Sequence, residues 1–148
     1  MTTIKIELVD ETFEKIRPNL AEFTISLYNN LLNINPKFEA LFAKTDMSEQ
    51  RRMLMGVLVL AIKNIHKPHL IASSLNRLGA RHVQYGANFT YYNYFGQALL
   101  ITLEEYLGSE WNPTVEKAWR DAYQSIVGLM LEGATKETKR RFILIWNR

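Results

Sequence analysis

The chain has 148 residues, 47% of them hydrophobic, which is enough for the core of one domain and leaves no room for a second catalytic domain. Cysteine is absent, which excludes disulfides, thiol nucleophiles and thiolate metal sites. The net charge is +3, but residues 135–148 hold five basic groups and one acidic group, a net of +4, so the rest of the chain carries −1. A near-neutral body with a basic tail argues against nucleic acid as a partner.

The spacing of apolar residues predicts an all-α domain of six to eight helices. Apolar side chains recur every three or four positions over long stretches, and 7 glycines with 4 prolines are few for a turn-rich β protein. The first residues lack the apolar core of a secretory signal, and no window is long enough to span a bilayer. We therefore expect a cytoplasmic protein with no transmembrane segment.

Three helices are predicted before the polar corner that follows Phe42. Asp10 can accept hydrogen bonds from the free amides of a first helical turn. Pro18 should bend or divide the segment that follows. A second helix should end near residues 33–35, and Pro36 favours a short third helix that ends at Phe42.

Four further elements are predicted in the second half of the chain. Ser48 can cap a long helix that ends near Pro68. The next amphipathic run spans residues 70–82. A long helix then ends at Gly108, and a last helix begins at Asn112, which is followed by a proline.

Several segments, in this order, resemble those of a bacterial single-domain haemoglobin or the globin domain of a flavohaemoglobin. The segments FTISLYNNLLNINPKFEALF and SEQRRMLMGVL resemble the distal half of such a globin. The segment ARHVQYGANFTYYNYFGQALL resembles its proximal half, and AWRDAYQSIVGLM resembles its last helix. The spacing agrees except at the corner after Phe42, which is two residues short. The resemblance implies a globin-like three-over-three helical sandwich and a b-type haem held by one histidine.

We accordingly assign residues 1–134 to a globin domain, with a helical core from about residue 10. Residues 135–148 are then a basic and apolar C-terminal extension. This extension is too apolar for a solvated end, so we expect it to fold back on the domain or to form a homodimer contact. Contact with an anionic membrane surface and a further partner region are the remaining interpretations.

The resemblance also implies the residues around the haem. It makes His82 the protein ligand of the iron, which makes this histidine the metal-binding residue. Phe42 corresponds to the phenylalanine that wedges the haem ring. The cofactor-binding residues that the resemblance implies are His82, Phe42, Tyr28, Gln50, Leu54, Leu78 and Tyr92. No catalytic residue is assigned.

The residue types suit that chemistry. Haem iron binds a neutral imidazole nitrogen, so the other ring nitrogen must donate, and the carbonyl of Leu78 or the hydroxyl of Tyr92 can accept. Tyr28 and Gln50 are hydrogen-bond donors, which stabilise a ligand that gains negative charge in a dry pocket. In the alternative interpretation His82 is merely a half-buried histidine and the two distal residues are an ordinary helix residue and a solvated amide.

Two other groups of residues are candidates for sites, and we favour structural interpretations of both. Arg51 and Arg52 could reach the carboxylates of a haem, but long basic side chains at the start of an exposed helix are usually solvated. His66 and His69 are three residues apart, but the proline between them breaks the helix that would align their rings, so we assign no metal site there.

The last helix departs from the resembled family. In the resembled proteins, a carboxylate on this helix completes a network with the proximal histidine and tyrosine. The corresponding position of this chain holds Ala134. Glu132 lies two residues earlier and points about 200° away around a helix. Loss of the carboxylate should weaken the electron donation that helps to split an O–O bond, whereas gas binding does not require it.

Two functions of different classes follow from these observations. The first is reversible binding of oxygen or nitric oxide, with carbon monoxide as a further ligand, by a carrier, scavenger or sensor. The alternative is a haem-free interaction or signalling module with a globin fold. We assign no enzymatic activity to the chain alone, because nitric oxide dioxygenase-type turnover would need an external reductase.

Overall fold

The computed structural model of the chain describes residues 5–84 and 89–146, with side chains for residues 5–82 and 90–135. Within this part, seven α-helices are present and no strand. The helices in chain order are α1 Ile6–Ile16, α2 Leu20–Ile34, α3 Phe38–Leu41, α4 Met47–Lys63, α5 Ala72–Gln84, α6 Phe89–Leu107 and α7 Pro113–Trp146. Short 3-10 turns lie at Arg17–Asn19, Pro68–Leu70 and Gly108–Glu110. The all-α prediction is confirmed.

The first helix begins earlier than predicted. α1 starts at Ile6, so Asp10 lies inside the helix and the prediction that it caps the first turn is wrong. The apolar face already includes the fully buried Val9, and burial of this face extends the helix beyond the local capping signal. Pro18 lies in a 3-10 turn between α1 and α2, which confirms the predicted division.

Helix caps explain where α4, α6 and α7 begin or end. The N-cap of α4 is Asp46, whose Oδ1 accepts from the backbone amides of Ser48 at 3.1 Å and Glu49 at 3.3 Å. The prediction of Ser48 as the cap is therefore wrong, because a carboxylate two residues earlier takes that place and also complements the helix dipole. Asn112 caps α7 as predicted, and Gly108 ends α6 with a φ of 55°.

The buried side chains form two clusters. The larger one joins α1, α2, α3, α4, α6 and the first half of α7. Within it, the indole nitrogen of Trp119 donates to Thr12 Oγ1 at 2.8 Å, which ties α7 to α1. The smaller cluster consists of Ala61, Ile71, Leu75 and Met130 and lies where α5 faces α4 and α7.

Two glycines allow α5 and α7 to approach very closely. A Cβ atom at Gly79 would overlap the backbone of Met130, and one at Gly133 would overlap the backbone of Asn76. The Asn76 side chain also donates to the carbonyl of Leu129 at 2.8 Å. The position of α5, and of every residue on it, therefore depends on contact with the α7 backbone.

The C-terminal part of α7 continues the helix past the predicted domain boundary. Its backbone is helical as far as Trp146, so the predicted boundary at residues 134 and 135 falls inside one helix. The division itself stays a prediction. The expected homodimer contact also stays one, because the side chains from 136 onward lie outside the described residues.

Among the described residues, no helix is both long and apolar enough to cross a bilayer.

Candidate functional site

A cleft of about 270 Å³ opens between α4 and α5. α4 contributes Met53, Val57 and Leu60 to its walls, and α5 contributes Leu75 and Leu78. Met53 and Leu60 remain 48% and 46% exposed, which is unusual for large apolar side chains that face a cleft. Such surface is what an apolar ligand would cover.

His82 lies in the last turns of α5. Its Nδ1 lies 2.7 Å from the carbonyl oxygen of Leu78, one turn earlier, and donates its hydrogen to that oxygen. With Nδ1 as the donor, Nε2 carries the lone pair that a metal ligand needs. Of the two acceptors that the sequence left open, the structure forms the bond with Leu78.

The surroundings of His82 keep its imidazole neutral. Burial lowers the pKa of His82 below its usual value, and the charge of Arg81 lowers it further, while the Leu78 carbonyl opposes both effects. A histidine with a lowered pKa is uncharged at neutral pH, and the uncharged form is the one that binds metal ions.

Tyr92 lies beside His82 and contacts it through its ring and not through its hydroxyl. The two rings stack with centroids 6.2 Å apart and an interplanar angle of 29°. The Tyr92 hydroxyl is buried and has no hydrogen-bond partner among the described residues, and burial raises its pKa. The backbone carbonyl of Tyr92 accepts from the Tyr123 hydroxyl at 2.6 Å, which fixes this part of α6 on α7.

A second group of predicted residues surrounds Tyr28 on α2. Gln50 Nε2 on α4 donates to the Tyr28 hydroxyl oxygen at 3.2 Å. The Tyr28 ring, only 5% exposed, meets Phe42 edge-on with centroids 5.6 Å apart and Phe95 with centroids 6.5 Å apart. Leu54 is half-buried and packs against the same larger cluster.

The Tyr28 hydroxyl keeps its proton. Burial raises its pKa, although the hydrogen bond from Gln50 and the charge of Arg51 oppose the increase. Because Gln50 is the donor in their shared bond, the hydrogen of Tyr28 remains available for another acceptor. The pair can therefore present a phenol donor whose oxygen is already held in place.

The remaining candidates occupy surface positions. Arg52 pairs with Glu49 on the exposed side of α4, where its Nε lies 3.0 Å from the carboxylate, and His66 and His69 are exposed. No group of three or more potential metal ligands occurs among the described residues. On α7, Glu132 is exposed and Ala134 is half-buried.

The structure thus brings the predicted residues together in two groups. Tyr28 contacts both Gln50 and Phe42, and His82 contacts both Leu78 and Tyr92. Sequence reasoning missed Arg81, which lines the cleft. Its spacing of three residues from Leu78 places both on one face of α5 and could have revealed it.

Comparison with known proteins agrees with this architecture. The Globin family model matches residues 25–130, so the chain belongs to the globin family. It is 28% identical to a flavohemoprotein of Xylella fastidiosa over 127 residues, which is 84% of this chain but 32% of that protein. The chain thus spans about a third of the length of the flavohemoproteins that it matches.

Solved structures show the same fold. A bacterial globin from Campylobacter jejuni superposes with a TM-score of 0.79 at 23% identity, over 90% of this chain and 96% of that one. A Pseudomonas aeruginosa protein described as highly similar in structure to a human hemoglobin gives a TM-score of 0.75 at 21% identity, over 87% and 97%. The predicted three-over-three globin fold is therefore confirmed.

Globin membership implies haem-based gas binding in general. The described residues fit such a cofactor on grounds of their own. The cleft has apolar walls with exposed surface to cover. His82 follows the lining residue Arg81 on α5, and it has a lone pair on Nε2 and a lowered pKa.

Proposed function

We propose that this chain binds a b-type haem through Nε2 of His82 and reversibly binds oxygen or nitric oxide as a carrier, scavenger or sensor. The observation that carries the proposal is the 2.7 Å bond between His82 Nδ1 and the Leu78 carbonyl. It fixes the tautomer that a metal ligand needs and directs the ring from within its own helix.

The distal residues supply hydrogen bonding and exclude water. When bound, the haem supplies an iron atom that takes a diatomic gas reversibly. The Tyr28 hydroxyl donates to a ligand that gains negative charge, while Gln50 holds the phenol oxygen. Phe42 and Leu54 keep this side apolar, which strengthens the hydrogen bond because the local dielectric constant is low.

We propose that the chain converts nitric oxide in a dioxygenase reaction only when an external electron donor is present. The name of the Xylella relative combines flavin with haem, and the chain matches 32% of that protein, so a flavin reductase is the class of partner that such turnover requires. Ala134 supplies no carboxylate to the proximal side. This favours gas binding over peroxidase-like chemistry.

The test is the absorption spectrum of the purified chain, before and after addition of hemin. We expect one haem per chain, a Soret band, and a shift of that band when carbon monoxide is added to the reduced protein. A colourless protein that takes up no added hemin would reject the proposal and favour the haem-free interaction module.

A further inference from the structure

The ring of Phe95 on α6 lies between two tyrosines that belong to different helices. Its centroid is 6.5 Å from that of Tyr28 on α2 and 6.3 Å from that of Tyr123 on α7. The interplanar angle is 70° with Tyr28 and 22° with Tyr123, so the first contact is edge-on and the second is stacked. Phe95 therefore connects the group of residues around Tyr28 with the last helix.

Tyr123 is held against α6 by its ring and by its hydroxyl. A Cβ atom at Gly96 would lie 2.7 Å from Cε2 of Tyr123, so this glycine lets the ring lie close to the α6 backbone. The hydroxyl donates to the Tyr92 carbonyl at 2.6 Å. Burial raises the pKa of the Tyr123 hydroxyl, which therefore stays protonated and remains a donor. A displacement of the Tyr123 ring would consequently move the backbone of Tyr92.

Tyr92 carries the contact on to the proposed iron ligand. Its ring stacks on the His82 imidazole with centroids 6.2 Å apart, and both side chains are half-buried. Tyr92 also packs against the smaller cluster, which includes Leu75 on the same helix as His82. The position of the Tyr92 backbone thus decides where its ring lies against the imidazole. We call Tyr28, Phe95, Tyr123 and Tyr92 the aromatic row.

We propose that Phe95 is a positioning residue that joins the proposed distal phenol to the proposed iron ligand through the aromatic row. This inference rests on the proposed function. Aromatic rings are rigid and the interior is close-packed, so a shift of Phe95 is passed in both directions, to Tyr28 and, by way of Tyr123 and Tyr92, to His82. Each of these contacts is made between protein groups, so the link exists in the apoprotein and can be measured there.

The first experiment compares NMR spectra of three apoproteins: the wild type, Phe95→Leu and the matched control Phe23→Leu. Melting temperatures verify that the variants fold. Phe23 is 2% exposed in the larger cluster and meets Tyr106 edge-on with centroids 5.2 Å apart, so the control also loses a ring from an aromatic pair. The reporters are Hε1 of His82 and the side-chain amide of Gln50, which donates to Tyr28. We expect Phe95→Leu to shift both signals and Phe23→Leu to shift neither.

Tyr123→Phe separates the two ends of the aromatic row. It keeps the ring that stacks on Phe95 but removes the bond to the Tyr92 carbonyl. The His82 signal should therefore shift while the Gln50 signal stays in place. An unchanged His82 signal in either Phe95→Leu or Tyr123→Phe would overturn the proposal. An unchanged Gln50 signal in Phe95→Leu would also overturn it, and so would equal shifts in the Phe23 control.

The second experiment uses the haem-loaded protein. Stopped-flow measurement gives the oxygen dissociation rate, and resonance Raman spectroscopy gives the iron–histidine stretching band of the ferrous protein. Phe95→Leu should change the rate about 2- to 5-fold, the range typical of coupled neighbours, and should also shift the band. Tyr123→Phe should shift the band alone. A change in only one of the two quantities in Phe95→Leu would overturn the link. Failure of the wild type to bind hemin would reject the proposed function, while the apoprotein spectra would still decide whether Phe95 positions both ends.

Discussion

Tyr28 and His82, the proposed distal residue and the proposed iron ligand of this globin, are held in place by different kinds of contact. Tyr28 belongs to the larger cluster, where side chains from α2, α4, α6 and the corner before α4 surround it. His82 is carried by α5, whose position depends on the close approach of Gly79 and Gly133 to backbone atoms across the α5–α7 contact. Side-chain packing thus fixes the position of Tyr28, whereas the position of His82 depends on where α5 lies against α7.

The largest effect should come from His82→Ala, which removes the proposed iron ligand. We expect the variant to retain no stably bound haem, because the described residues that line the cleft include no imidazole that could replace His82. The absorption spectrum after hemin reconstitution is the measurement. His66→Ala, at an exposed position, is the control and should reconstitute normally. A normal ferrous spectrum in the His82 variant would contradict the ligand assignment.

Gly79→Ala should reveal how strongly the proximal side depends on helix position. Its new Cβ would overlap the Met130 backbone, so we expect the free energy of unfolding to fall by about 2–3 kcal/mol, the upper range for overpacking. Gly128→Ala, in the same kind of helix with open space around it, should gain up to about 1 kcal/mol. Urea denaturation of both variants is the measurement, and equal stabilisation of both would refute the close approach.

Tyr28→Phe should act on the gas and leave the haem in place. If the phenol donates to bound oxygen, its loss removes about 1–1.5 kcal/mol and speeds oxygen dissociation roughly tenfold. Stopped-flow measurement of the dissociation rate checks this. Tyr106→Phe removes a hydroxyl that bonds Ser26 at 2.9 Å, away from the predicted site residues, and should leave the rate unchanged. An unchanged rate in the Tyr28 variant would show that the hydroxyl does not act on the ligand.

The smallest expected effect compares two tyrosines on the proximal side. Tyr92→Phe removes a buried hydroxyl that has no partner among the described residues, so the free energy of unfolding should stay constant or rise by up to about 1 kcal/mol. Tyr123→Phe removes the 2.6 Å bond to the Tyr92 carbonyl and should lower it by about 1 kcal/mol. Denaturant unfolding of the two apoproteins measures both changes. An equal loss of unfolding free energy in the two variants would mean that the Tyr92 hydroxyl has a partner.

Local sequence signals predicted the helix boundaries only where no stronger contact competed with them. Pro18 divides the first segment, and Asn112 caps the last helix, because proline and a capping amide act through their own backbone neighbours. Asp10 failed as a cap because the apolar face of α1 extends back to Ile6. Ser48 failed because Asp46 provides a carboxylate two residues earlier.

The resemblance proposed the residues of the candidate site, but the contacts between them could not be predicted from the sequence. The resemblance supplied His82 and Tyr28, yet the choice between the Leu78 carbonyl and the Tyr92 hydroxyl depends on the direction of the imidazole ring. Gly79 lies one turn before His82 in the sequence, but its partner on α7 is about 50 residues away and only the fold reveals it.

The bond that orients His82 closes within a single turn of α5, from the Leu78 carbonyl to the imidazole. If α5 slides or tilts against α7, donor and acceptor travel as one unit, so the tautomer survives the displacement. Movement of this helix would then shift His82 relative to α4, while Nδ1 stays the nitrogen that donates to the Leu78 carbonyl. Displacement of α5 could therefore adjust the position of the proposed iron ligand without changing which of its nitrogens carries the lone pair.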